Sequence, residues 1–133
     1  MLEEFGLAFD LQTNPHQLEP TAAFLRGFPN VPVVVDHVGC LKLPGDPEGD
    51  AAAMATWEGG MRAMAAAHAN VYVKLSMLDY TFPGWWADEG GRAKAKALVR
   101  QTIDIFGADR CMFASNFPVD RKPESGGACM HII

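Results

Sequence analysis

The sequence has little cysteine and no long apolar run. Its three cysteines, Cys40, Cys111 and Cys129, are odd in number and form no CxxC pair, which disfavours a disulfide framework and structural zinc held by sulfur. No apolar stretch approaches the roughly 20 residues that cross a bilayer, and Met1 does not begin a secretory signal. We therefore expect a soluble, cytoplasmic protein without a membrane partner.

Positive charge is also scarce. Eleven Lys and Arg residues stand against sixteen Asp and Glu residues, for a formal net charge of −5 at pH 7. The basic residues are scattered, whereas binding to a phosphate backbone requires a basic patch. We expect a small-molecule substrate and no nucleic-acid partner.

Several common catalytic and binding motifs are missing. The sequence contains no GxGxxG loop, no phosphate-binding GxxxxGK loop, no HExxH pair and no GxSxG elbow. Dinucleotide binding, nucleoside triphosphate binding and serine-hydrolase chemistry therefore lose their usual support.

What is present predicts an α/β fold. Four short segments rich in β-branched or aromatic residues predict strands over residues 6–12, 31–38, 71–76 and 111–116. Segments with helical spacing of apolar residues lie between them. Because strands and helices alternate, the strands are expected to pair in parallel through right-handed crossovers, as consecutive (β/α) units.

Three helices are predicted between the strands. The first has Pro20 in its first turn, and the third runs over residues 92–106. The second presents an apolar stripe made of Trp57, Met61, Met64 and His68.

Irregular structure is predicted in three places. Loops rich in proline and glycine cover residues 43–49 and 82–91, after strand ends where α/β proteins carry ligand-binding loops. Residues 121–133 have no periodicity and are expected to form an irregular tail, which leaves residues 1–120 as the folded unit.

His37 is a candidate site residue at the end of the second strand. Strand alternation places it on the same face as Val33 and Val35, with Asp36 pointing the other way. An imidazole there can bind a metal, accept a proton or orient a substrate carbonyl. The alternative is a structural histidine bonded to a neighbouring loop.

Lys74 is the second candidate. It shares one strand face with Tyr72 and Ser76. A lysine in a strand covered on both faces needs a carboxylate or an anionic substrate as its partner, because an unpaired buried ammonium is costly. The alternative is an edge strand with a solvated lysine.

Further polar residues follow the first and last strands. Asn116 can donate and accept hydrogen bonds but cannot act as a general base, whereas Asp120 can. Asp120 is otherwise an ordinary turn carboxylate. Gln12 and His16 lie in the loop after the first strand and are candidates for substrate binding, although His16 also fits a surface position.

The order of these segments resembles a known family. Residues 6–17, Asp36-His37, residues 70–76 and residues 110–118 together resemble the carboxyl-terminal half of the amidohydrolase-related TIM-barrel hydrolases, which include lactonases. The resemblance implies that the four strands are strands 5 to 8 of a (β/α)₈ barrel. It places an active-site histidine at His37, Lys74 on the seventh strand, and Asn116 where many members carry a catalytic aspartate.

The resemblance also sets the functional expectation. Members open lactones or related esters and amides by activating water, some with a divalent metal such as zinc, for which His37 is the ligand here. We expect His37, Asn116 and Asp120 to act in catalysis and Gln12, His16 and Lys74 to bind substrate. The alternatives are a metal-dependent non-oxidative decarboxylase on the same barrel and a non-catalytic fragment.

Three departures from the family pattern bear on this expectation. The His-x-His pair of the family's first strand is missing, Asn116 replaces an aspartate, and no closing amphipathic helix follows Asp120. A full barrel needs about 250 residues. Half a barrel exposes unpaired strand edges, and a homo-oligomer is one way to cover them.

Overall fold

Four short parallel strands form one sheet in the computed structural model, which describes residues 1–120. Their order in the sheet is their order in the chain, and Phe9 is in register with Val33, which is in register with Val71. The predicted α/β class and parallel pairing are therefore confirmed. The strands, which are shorter than predicted, are β1 (Phe9–Leu11), β2 (Val33–Val35), β3 (Val71–Leu75) and β4 (Cys111–Phe113).

Long helices connect consecutive strands. Helix α1 (Pro15–Leu25) lies between β1 and β2, α3 (Pro47–Ala65) between β2 and β3, and α5 (Glu89–Phe106) between β3 and β4. Two single turns, α2 (His37–Cys40) and α4 (Leu78–Thr81), follow the ends of β2 and β3. A 3₁₀ turn (Ala108–Arg110) precedes β4.

The core lies between the helices and one face of the sheet. Val33, Val35, Val71 and Val73 are completely buried on this face. The predicted stripe of α3 supplies Trp57, Met61 and Met64, all completely buried. The opposite sheet face carries Asp10, Val34 and Tyr72 in register, followed by Lys74 in register with Met112. The sheet therefore has an apolar face under the helices and a mixed, polar face opposite.

The first predicted helix boundary was wrong. Helix α1 begins at Pro15, so Pro20 lies inside it rather than in its first turn. The backbone N–H of Asn14 donates to Oε1 of Gln17 at 3.0 Å, as part of a capping box that fixes the helix start. Local capping chemistry therefore decides the start, and Pro20 is tolerated on an exposed surface.

Aspartate caps shorten both predicted loops. Asp46 accepts a hydrogen bond from the backbone N–H of Gly49 at 2.8 Å, so α3 begins at Pro47. Asp88 accepts one from Gly91 at 2.7 Å, so α5 begins at Glu89 rather than at residue 92. The predicted irregular tail, residues 121–133, lies outside the described residues. Within residues 1–120, no helix combines the length and apolar character that crossing a membrane requires.

Helices α1 and α3 meet at a glycine. A Cβ atom on Gly60 would lie 2.6 Å from Cβ of Leu18 and 3.2 Å from the carbonyl oxygen of Pro15. At the neighbouring Gly59, a Cβ atom would come within 3.3 Å only of Oε1 of Glu19, at the far end of a flexible side chain.

This contrast predicts opposite effects of one substitution at adjacent positions. Gly60→Ala should lower the free energy of unfolding by about 1–3 kcal/mol through overpacking. Gly59→Ala should raise it by up to about 1 kcal/mol because alanine favours the helix. Denaturation in urea measures both, and a stabilised G60A protein would contradict this description of the α1–α3 contact.

The sequence predicts His68 on the stripe of α3, but this helix ends at Ala65 and His68 lies beyond it. Both ring nitrogens are buried, and neither has a hydrogen-bond partner among the described residues. Burial disfavours the charged form and lowers the pKa of His68.

Acid should therefore destabilise the fold through His68. The unfolded histidine takes up a proton as the pH falls through about 6.5, whereas the folded one resists protonation, so stability is lost below that pH. His68→Leu should flatten the dependence of the unfolding free energy on pH below about 6.5. Substitution of the exposed His16 by Gln controls for removing a histidine. An unchanged slope in H68L would exclude this role.

Candidate functional site

Polar side chains collect where β2, β3 and β4 end. Because the strands are parallel and adjacent, their carboxyl ends lie along one edge of the sheet. His37 follows β2, Ser76 follows β3, and Asn116 follows β4. Lys74, near the end of β3, lies beside this edge on the polar face.

Lys74 is held between two carboxylates. Its Nζ lies 2.8 Å from Oδ1 of Asp36 and 3.0 Å from Oδ1 of Asp10. The carboxylate of Asp36 is 14% exposed and that of Asp10 is 63% exposed. Since β3 lies between β2 and β4, the alternative of a solvated lysine on an edge strand is wrong.

The ion pairs fix the charge state of Lys74. Its hydrogen bond to Asp36 raises the pKa of Lys74, more than burial lowers it, and Asp10 adds to the effect. The buried Oδ1 atom of Asp36 has no hydrogen-bond partner among the described residues apart from this ion pair. The cluster therefore holds one ammonium and two carboxylates.

His37 does not continue the strand alternation. The chain leaves β2 after Val35, and α2 is a left-handed turn with φ of 57° at His37, 46° at Val38 and 50° at Cys40. Nδ1 of His37 lies 2.9 Å from Oγ of the buried Ser76. The prediction that His37 shares a face with Val33 and Val35 was wrong for this reason. The ring is instead hydrogen-bonded to Ser76, directly after β3.

The left-handed turn is costly in itself. This conformation costs about 1–2 kcal/mol for each residue other than glycine, and it is uncommon for a branched residue such as Val38. Only Gly39, with φ of 74°, suits it without penalty. Strain of this kind is concentrated at functional sites.

Asn116 and Asp120 form a local pair after β4. Nδ2 of Asn116 donates to Oδ1 of Asp120 at 3.0 Å, and the backbone N–H of Asp120 donates to the carbonyl of Asn116 at 3.2 Å. Asn116 is also left-handed, with φ of 52°. Their catalytic role stays a prediction.

Gln12 lines a polar cleft, whereas His16 lies elsewhere than predicted. The cleft has a volume of about 440 Å³. His16 is exposed in the first turn of α1 rather than in a loop. The cleft is lined by Gln12, Thr13, Asn14, Gln17, Cys40, Met77 and Tyr80.

Cys40 is a buried cysteine that lines this cleft. Burial raises the pKa of its thiol, and the negative charge of Asp36 adds to the rise. A hydrogen bond with the Thr13 backbone opposes this effect without cancelling it.

Sequence reasoning missed three members of the site. Asp10 and Asp36 pair with Lys74, and Ser76 pairs with His37. Strand alternation gave a usable signal for each, because Asp10, Asp36 and Ser76 all occupy the face that carries Lys74. Pairing across strands required the register, which the sequence does not state.

The described residues do not form a complete metal site. Residues 1–120 contain no group of three or more His, Cys, Asp and Glu side chains arranged to hold a metal ion. One ring nitrogen of His37 faces Ser76, and the carboxylate of the adjacent residue Asp36 faces Lys74. His37 therefore offers a single ligand position.

Comparison with known proteins identifies the family. The amidohydrolase family model matches residues 1–129. The chain belongs to the amidohydrolase family. This confirms the resemblance inferred from the segment order.

Two curated relatives are similar to most of this amidohydrolase chain. An uncharacterized protein of Sinorhizobium fredii, y4mH, is 35% identical over 87% of the chain and 35% of its own length. An L-fucono-1,5-lactonase of Burkholderia ambifaria is 34% identical over 86% of the chain and 36% of its own length. The chain thus spans about a third of these relatives.

A solved structure shows the same partial coverage. This chain is similar to an amidohydrolase of Burkholderia multivorans with bound HEPES, with a TM-score of 0.78 and 26% identity. The match covers 96% of this chain and 45% of the Burkholderia chain. A second crystal form of that protein, with bound zinc, gives a TM-score of 0.75 and 24% identity. Four parallel strands covering less than half of an amidohydrolase confirm the expectation of a partial barrel.

The Lys74 cluster predicts unequal stability effects for its members. Lys74→Met should lower the free energy of unfolding by about 3 kcal/mol, because it leaves the buried Asp36 carboxylate without a counter-charge. Asp10→Asn should cost less than about 1 kcal/mol, since Asp10 is mostly exposed. Chemical denaturation measures both, and equal losses would contradict the asymmetry.

The same cluster predicts a dependence on high pH. A raised pKa means that the stabilisation is complete below the unfolded lysine value of about 10.4 and is lost as the pH rises through the folded value. The unfolding free energy should therefore fall more steeply above about pH 10.4 in wild type than in K74M. Parallel curves would show that Lys74 is not the group responsible.

Proposed function

We propose that this chain is part of a hydrolase that opens a lactone or a related ester or amide by water attack. The observation that carries the proposal is the row of polar groups at the strand ends, with His37 bonded to Ser76 beside the ion-paired Lys74. The 34% identity to an L-fucono-1,5-lactonase favours a lactone within this class.

His37 is the proposed proton acceptor. Its Nδ1 contact with Ser76 leaves Nε2 as the atom that can act on a substrate. When Nδ1–H donates to Oγ of Ser76, Nε2 is unprotonated and can take a proton from water. In the opposite tautomer, Nε2–H can instead donate to the substrate carbonyl oxygen as negative charge develops there.

Asn116 and Asp120 are the proposed partners of the attacking water. The Asn116 amide orients oxygen atoms by hydrogen bonding, and the Asp120 carboxylate it contacts can accept a proton. Because Asn116 cannot ionise, His37 and Asp120 are the proposed bases. The base removes a proton from water as the water oxygen adds to the acyl carbon, the ring C–O bond then breaks, and the leaving alkoxide takes up the proton that the base removed.

The charge of the Lys74 cluster favours an uncharged, hydroxylated substrate. The cluster has two carboxylates and one ammonium, so its net negative charge disfavours an anionic substrate. The exposed Asp10 carboxylate can accept hydrogen bonds from hydroxyl groups of a neutral one. Gln12, in the polar cleft, and His16 are proposed to extend substrate binding. A neutral sugar lactone meets these requirements.

A divalent metal is part of the proposal, with His37 as one ligand and the further ligands outside the described residues. His37 is the proposed ligand, but a zinc site needs three or four ligands, and the described residues do not group three. No step is therefore routed through a metal. A homo-oligomer that covers the exposed strand edges and a cytoplasmic location are likewise proposals.

Acid release from neutral sugar lactones tests the function. The purified 133-residue chain should produce hydroxy acid in a pH-stat assay, with L-fucono-1,5-lactone as the first substrate, and chelator treatment tests metal dependence. His37→Gln should lower the rate by about 100-fold or more, the usual contribution of a general acid or base.

Controls separate the alternatives. Lys96→Gln, on the exposed side of α5, should retain wild-type activity. Carbon dioxide release from aromatic carboxylates would favour the decarboxylase instead. A folded chain that accelerates neither reaction would support the non-catalytic fragment and reject the proposal for the isolated chain.

A further inference from the structure

The left-handed turn α2 is joined to helix α3 by one short hydrogen bond. Nε1 of Trp57 donates to the carbonyl oxygen of Val38 at 2.6 Å. Trp57 and Val38 are both completely buried, so water does not compete for either group. We propose that Trp57 is a positioning residue whose indole N–H fixes α2 and thereby aims the ring of His37 at Ser76.

The turn needs a restraint of this kind. Val38 and its non-glycine neighbours His37 and Cys40 adopt a conformation that L-residues leave readily when nothing holds them. Within the turn itself, the backbone N–H of Gly39 donates to the carbonyl of Asp36 at 3.0 Å. The carbonyl of Val38 is held from α3 by Nε1–H of Trp57, an atom of a rigid aromatic side chain.

Close packing makes the hydrogen bond directional. A Cβ atom on Gly39 would lie 2.8 Å from Sδ of Met61 and 3.4 Å from Nε1 of Trp57. A side chain at position 39 would therefore displace Met61 and would strain a backbone of positive φ. Gly39 allows the turn to approach α3 closely, so Nε1–H of Trp57 reaches the Val38 carbonyl oxygen directly.

The restraint acts one peptide unit away from the imidazole. His37 directly precedes Val38, and its Nδ1 contacts Oγ of Ser76 across β3's end. Rotation of the Val38 peptide would turn the His37 Cα–Cβ bond and lengthen this contact. For catalysis the inference rests on the proposed role of His37, but the ring geometry can be measured without any substrate.

An isosteric analogue isolates the hydrogen bond from packing. Site-specific replacement of Trp57 by 3-benzothienylalanine keeps the shape of the indole and removes only the N–H donor. The same replacement at Trp85, half-buried in the loop before α5, is the matched control. The ¹⁵N resonances of the His37 ring, assigned by their loss in His37→Gln, report its hydrogen bond to Ser76, and Ser76→Ala supplies the reference for a broken bond.

The expected result is a displacement of the His37 Nδ1 resonance in the direction seen for S76A, with no change for the Trp85 analogue. Cooperative unfolding shows that each variant is folded. In the lactone assay, kcat should fall on the order of 100-fold, the loss that a small misplacement of a catalytic group can cause, with a smaller change in KM. An unmoved His37 signal in a folded Trp57 variant would overturn the proposal. This readout needs no turnover, so the His37 resonance tests the positioning role even in a chain without lactonase activity.

Discussion

Helices cover one face of the sheet, and this constraint determines where the polar groups of the fold must lie. The face under α1, α3 and α5 buries valines completely, so it has no room for charge. The charged side chains of this region therefore point to the opposite face, where Lys74 bridges Asp36, directly after β2, and Asp10 on β1. The ion pairs tie three strands together on the side that the helices do not cover, next to the edge that carries His37.

The sequence predicted the parts of this fold that depend on repetition. Alternation within β3 separated Lys74 from the buried valines, and the α3 stripe identified Trp57, Met61 and Met64 as core residues. These patterns are set by the geometry of each element alone. The family resemblance added the order of the segments and the partial barrel, which the family comparison confirms.

Predictions failed where a local interaction overrides the pattern. The capping box at Asn14 moved the start of α1 ahead of Pro20, and aspartate caps shortened two loops. The left-handed turn ended the alternation before His37. Its non-glycine residues give no sequence signal for positive φ, because only packing against α3 makes the conformation affordable. Pairing across strands, as in Asp10 with Lys74, depends on register and could not be assigned from single segments.

The branched residue at the centre of this turn combines backbone strain with complete side-chain burial. Val38 holds a backbone conformation that glycine would adopt at no steric cost, yet its side chain is completely buried. A glycine there would relax the backbone locally but would leave a void and a more pliant peptide beside the imidazole. The void and the greater freedom of the unfolded chain oppose the relief of strain, so the buried side chain and the rigid peptide both favour valine at this position.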